Sequence, residues 1–219
     1  MIFRSKVTSV GTLTITGTES GATVEYSANG SSGWSTTAPS LSQGSNTVYV
    51  RQTDNAGNVS SATAFTFTYD TTAPNAPAIT SVTDDVAPLT GSLTAPAFTN
   101  DTNLTVRVSL SGTNAVAGDT IQLFNGSSAL GSAYTITATD FSNGYANLQT
   151  GTLSDGSSYA INAKAIDIAG NASAASSPSF SVTVDTTAPT ATRGSQSVQL
   201  VEAGGATAGT STDSNTNST

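Results

Sequence analysis

Cysteine and histidine are both absent from this chain of 219 residues, and cations are scarce, with 6 Lys and Arg against 14 Asp and Glu. Without thiols no disulfide can form, and without thiolate or imidazole the usual ligands of zinc, copper and iron are missing. Cys-His and Ser-His-Asp nucleophilic machinery is excluded on the same ground. A net charge of −8 and six scattered cations cannot make the basic stripe that nucleic acid requires. Anionic membrane surfaces are disfavoured likewise. No run of 18 apolar residues is present to span a bilayer, so no membrane insertion is expected. Arg4 and Lys6 are followed by no apolar stretch of the kind a Sec signal peptide carries. What remains for metal chemistry is oxygen: carboxylates, amide carbonyls and hydroxyls, a set that suits calcium.

What the chain does contain is Ser, Thr and Val in alternating patterns, and an internal repeat. Asp-Thr-Thr-Ala-Pro stands at 70–74 and again at 185–189, and Asp-x-Ala-Gly-Asn at 54–58 and at 167–171. Two signatures in the same order and at nearly the same spacing point to duplication of a unit. Between them, Gly21-Ala22-Thr23-Val24 matches Gly118-Asp119-Thr120-Ile121. The repeat divides the chain into a unit at 1–70 that is short at its start, a complete unit at 71–188, and a tail at 189–219 expected to be disordered or the stub of the next repeat. The shortened unit is expected to lack its first strand and to leave a sheet edge unpaired.

Period-2 alternation places strands at 13–16, 24–26, 48–50 and 64–69 in the first unit. In the second it places them at 79–82, 104–110, 121–124, 134–137, 145–148, 159–163 and 180–184. Turn signals at Asn125-Gly126, Asn143-Gly144 and Asp155-Gly156 join them. No segment shows a sustained helical period. About seven strands per complete unit make the fold all-β, as tandem immunoglobulin-like β-sandwiches without disulfides.

Five segments occur in a fixed order. They are Asp70-Thr-Thr-Ala-Pro74, Ala78-Ile-Thr-Ser-Val-Thr-Asp84-Asp85-Val86, Thr99-Asn100-Asp101-Thr102, Asp167-Ile-Ala-Gly-Asn171 and Asp185-Thr-Thr-Ala-Pro189. This ordered combination resembles the bacterial Ig-like repeats of giant type I-secreted adhesins, and the resemblance covers about residues 10–190. It implies secretion to the bacterial cell surface, a role in cell adhesion and biofilm formation, and calcium ions that stiffen the junctions between neighbouring repeats. It also implies that host-cell or surface ligands are met through other domains. The nonapeptide calcium repeats, secretion signal and anchor of a whole family member are missing, so the chain reads as an excised piece.

Geometry sorts the acidic residues. Asp167 precedes the last strand of the complete unit and Asp185 follows it, so at roughly 3.3 Å per residue they sit about 30 Å apart and cannot share an ion. Asp70 and Asp167 then belong to an entrance pole, and Asp84, Asp85, Asp101 and Asp185 to an exit pole. These six are the calcium candidates, with Asp54, Asn100 and Asn171 as further ones. The competing reading is that the same residues make Asx-turns and initiate loops. Asp119, Asp140 and Asp155 are read as turn or loop residues.

Pro74, Pro77 and Pro189 stiffen the linkers or end edge strands. Trp34 reads as a core aromatic in preference to a sugar-stacking platform, and Tyr134, Phe141 and Tyr145 as a small cluster around the 140–144 loop. Three functions are compatible with the sequence: a non-catalytic structural repeat of a secreted adhesin, a module that itself binds glycan or protein, and an accessory domain of a secreted carbohydrate-active enzyme. Paired carboxylates can hydrolyse glycosides, but these lie on loops at domain ends, so no catalysis is expected.

Overall fold

The computed structural model describes residues 7–189. The first repeat is built on one sheet of four strands, β1 (Val7–Thr8), β2 (Thr23–Ser27), β3 (Gly44–Thr53) and β4 (Thr63–Tyr69), in the order β1-β4-β3-β2. Val48, Val50 and Phe67 are its buried centre. On β4 the alternation works as expected, with Phe65, Phe67 and Tyr69 turned inward and Thr66 and Thr68 exposed. Phe65 and Phe67 stack with ring centroids 5.2 Å apart.

The second repeat has nine strands and one short helix: β5 (Ala78–Asp84), β6 (Gly91–Ser92), β7 (Ala97–Thr99), β8 (Thr105–Ser109), β9 (Thr120–Asn125), β10 (Ser128–Thr135), α1 (Ala138–Asn143), β11 (Tyr145–Gln149), β12 (Ser158–Ile166) and β13 (Phe180–Val184). They form two sheets, β10-β9-β12-β13-β7 and β11-β8-β5-β6. Strict alternation decides which side of each strand is buried: in β8, Val106 and Val108 point inward and Arg107 outward. Leu104, Val106, Val108 and Leu148 meet Ile121, Leu123, Ile161 and Ala163 in the core between the sheets. Each large aliphatic side chain fully buried there contributes about 1.5–3 kcal/mol.

The two repeats share the topology of one sheet. In both, a short strand pairs in parallel with the last strand: Thr8 is opposite Tyr69, and Thr99 opposite Val184. The sheet β1-β4-β3-β2 thus corresponds to β7-β13-β12-β9. Two expectations need correction. Residues 13–16 form no strand; Leu13 and Ile15 pack on the core, but among the described residues the first repeat has no counterpart of β5 or β11, the strands that flank β8. β1 covers one side of β4, and β2 ends the sheet with no further strand beside it among the described residues. And the complete unit has nine strands instead of about seven, because the residues that open it are divided among β5, β6 and β7.

The helix also departs from the sequence expectation. Its six residues are too few to show a 3.6-residue period, and its boundary signals carry it instead. Thr137 and Asp140 form a capping box, and Gly144 closes the end at φ 77°. Both repeats fall in one compact unit that ends at Thr186. The expectation for 190–219 lies outside the described residues.

Candidate junction sites

The Asp-x-Ala-Gly-Asn motif is a self-contained turn, built the same way twice. In the first repeat the Asp54 carboxylate accepts from the Asn58 backbone N–H (2.8 Å) and from Asn58 Nδ2 (2.8 Å). In the second, Asp167 accepts from the Asn171 backbone N–H (2.8 Å) and Asn171 Nδ2 (2.8 Å). The backbone closes each turn in both directions, Asp54 N–H to Asn58 O and Gly57 N–H to Asp54 O, and likewise for Asp167, Gly170 and Asn171. Gly57 and Gly170 both adopt φ 90°, a conformation that costs other residues energy. The Asn58 side chain, then its backbone N–H, hold the Asp54 carboxyl below its ordinary value.

At the entrance of the second repeat, this turn meets the linker. Asn171 Nδ2 donates to the carbonyl oxygen of Asp70 (2.8 Å), and Ser9 Oγ donates to the carbonyl of Ala169 (2.8 Å). Farther along the linker, Asn75 donates through its backbone to Thr113 O (2.7 Å) and through its side chain to Gly112 O (2.9 Å). Asp70 and the Asp167 turn therefore do meet, but through the Asp70 carbonyl. The Asp70 carboxylate accepts from Gln43 Nε2 of its own repeat (2.5 Å) and from the Thr72 N–H of the linker (3.0 Å). The two carboxylates at this pole are thus engaged with different partners.

Asp119, read from the sequence as a turn residue, has a larger part. It is buried, and its carboxylate accepts from the N–H groups of Val116 (2.8 Å) and Ile168 (3.1 Å), tying two entrance loops together. The signal was a difference between the copies: Asp119 stands where the first repeat has Ala22.

The exit pole gathers more charge. Asp84 and Asp101 are 2% and 3% exposed. Asp84 accepts from Thr99 Oγ1 (2.6 Å) and the Val86 N–H (2.8 Å). Asp101 accepts from the N–H groups of Asn103 (2.7 Å) and Asp85 (3.3 Å), while its own N–H donates to Thr99 Oγ1 (3.0 Å). Asn100 Nδ2 donates to Ala87 O (2.8 Å), and the Asp185 N–H to Thr99 O (2.8 Å). Asp155 joins this end through the Thr186 N–H (2.7 Å). Asp84, Asp85, Asn100, Asp101 and Asp185 are thereby brought to one end of the sandwich.

Neither buried carboxylate accepts from Lys or Arg among the described residues, and burying a carboxylate without an opposite charge is costly. Each oxygen that accepts one hydrogen bond retains a further lone pair. The donor chemistry at the exit pole therefore fits a hard divalent cation, although among the described residues no three acidic side chains are grouped as a ready-made cage. The fit is poorer at the internal joint. Parallel pairing makes Val10 the counterpart of Asp101, and the Asp70 and Asp167 carboxylates are turned to their own neighbours.

Residues 2–71 and again 76–186 match the bacterial Ig-like domain family. The chain belongs to that family. The two matched stretches are the two repeats, and the gap between them is the linker that carries Pro74 and Asn75. No curated protein matches the chain.

Two aromatic features of these bacterial Ig-like repeats complete the surface. Trp34 lies outside the core cluster of the first repeat, correcting the sequence reading. The Arg51 guanidinium covers its ring at 4.2 Å and pairs with Glu25 at 2.9 Å, so a cation supplies the packing expected from the core. In the second repeat Tyr134 donates to Asp140 (2.8 Å), and Arg107 lies 4.1 Å from the Tyr145 ring centre. Exposed Phe141 instead lines an open groove of about 520 Å³ with Leu110, Asn114 and Val116.

Proposed function

We propose that the chain is a non-catalytic structural segment of a secreted bacterial surface adhesin, in which successive Ig-like repeats are held in register to support cell adhesion and biofilm formation. The observation that carries this reading is the stitched linker: Asn171 and Ser9 bind backbone carbonyls across the joint between repeats. Backbone acceptors make such a joint depend on the fold, with little demand on side-chain identity. Neighbouring repeats are the partners, and any host-cell or surface ligand is met through other domains.

Calcium belongs to this proposal at the exit pole. Asp84 and Asp101 would hold it, with Asp85, Asn100 and Asp185 nearby, and the bound ion would supply the positive charge that two buried carboxylates otherwise lack. Thermal unfolding with calcium and with chelator is the test. A ligand that binds only the folded state raises its apparent stability, so the second repeat should melt higher with calcium. An identical transition in both conditions would remove calcium from the mechanism.

The Phe141 groove favours a second reading, in which the module itself binds glycan or protein. Ligand binding that survives chelation and is lost in Phe141→Ala would support it.

A further inference from the structure

The internal joint has two halves, and each repeat carries a version of both. The entrance half is the Asp-x-Ala-Gly-Asn turn, which offers the second amide hydrogen of Asn171 and the carbonyl of Ala169. The exit half is the end of the last strand and its parallel neighbour, which offers the carbonyl of Asp70 and the hydroxyl of Ser9. In the first repeat the entrance half is Asn58 and Ala56, in a turn with the same hydrogen bonds. Asn58 spends one amide hydrogen on Asp54, as Asn171 does on Asp167. Its second amide hydrogen and the Ala56 carbonyl take no partner among the described residues, and both residues are exposed.

The exit half of the second repeat follows from register. Thr8 accepts from the Asp70 N–H and Thr99 from the Asp185 N–H, which makes Asn100 the counterpart of Ser9. Asn100 brings a polar side chain to the position where Ser9 reaches the next repeat.

We propose that the Asp54–Asn58 turn is a docking face for the exit end of another repeat of this kind, with Asn58 Nδ2 donating to its linker carbonyl and the Ala56 carbonyl receiving its polar side chain. The proposal rests on the reading of the chain as a tandem structural segment, and it deepens that reading by naming the atoms. The occupant is specified by complementarity: the Asp54–Asn58 turn repeats the Asp–Asn bonds and backbone closures of the turn that already holds an exit end inside this chain.

The absence of cysteine allows a direct test. Two copies of the 219-residue chain are fused by a flexible Gly/Ser linker, which raises the effective concentration of one for the other. Asn100→Cys is placed in the leading chain and Ala56→Cys in the trailing one, and reaction with a short bis-maleimide is followed. Ser9→Cys with Ala169→Cys in one chain reports the internal joint. Asn100→Cys with Ser31→Cys, at the far end of β2 from the turn, reports background. Cross-linking of 56 to 100 should run about tenfold above background and fall to it when Asn58→Asp removes the donor. If 9 and 169 cross-link but 56 and 100 stay at background, this proposal fails and the structural reading stands. If 9 and 169 also stay at background, the joint behind both fails. Cross-linking that persists in Asn58→Asp overturns the assigned donor.

Discussion

Truncating Asn171 should separate the two tasks of its side chain, because Asn58 performs only one of them. Both asparagines donate Nδ2 to their turn aspartate at 2.8 Å, and Asn171 alone also donates to Asp70 O at 2.8 Å. A hydrogen bond to a charged group contributes about 1.5–3 kcal/mol and a neutral one about 0.5–1.5 kcal/mol. Asn58 is exposed and Asn171 half-buried, so water replaces more of the loss at Asn58. We expect Asn58→Ala to cost about 1 kcal/mol and Asn171→Ala about 2 kcal/mol, the excess combining the bond across the joint with the deeper burial of Asn171. Urea unfolding followed by far-UV circular dichroism measures the whole chain. Trp34, the single tryptophan, reports the first repeat by fluorescence. Asn171→Ala should lower the transition of the second repeat and leave most of the Trp34 transition in place. Equal costs for the two substitutions would mean that the inter-repeat bond contributes nothing to stability.

Three further outcomes are expected. Gly170→Ala meets no atom within 4 Å but must hold φ 90°, so the cost is conformational, about 1–2 kcal/mol, and a larger loss would reveal a role beyond the turn. For Asp140, burial is the largest single influence and acts to raise the pKa, but the bonds from Thr137 and Tyr134 together hold it below the ordinary 3.8. That contribution to stability is present above pH 3.8 and lost as pH falls through the lower native value; carboxyl NMR should show Thr137→Ala moving the titration back up. Finally, Asp84→Asn and Asp101→Asn should each abolish the calcium-dependent rise in melting temperature, and retention of the full rise in both would place the ion elsewhere.

The fold class was legible because burial in these strands follows period-2 alternation: Val106, Arg107 and Val108, or Phe65, Thr66 and Phe67, declare their faces without help from neighbours. Residues 13–16 show where that reasoning ends. Their alternation is as clear, and Leu13 and Ile15 do pack inward, but a strand also needs hydrogen-bonded neighbours. The grouping of Asp84, Asp101 and Asp185 at one end followed from chain order. The role of the motif asparagine did not, since sequence identifies a repeated Asn without showing that one amide group serves both its own aspartate and the preceding linker. Trp34 escapes a sequence reading because its packing partner, Arg51, is a cation far from it along the chain.

The stitched linker fixes one repeat against the next. Residual dipolar couplings measured on the intact chain, with calcium present, test it most directly. A single alignment tensor should fit the amides of 23–69 and of 78–184 together. Two independent tensors in the unsubstituted protein would contradict the account.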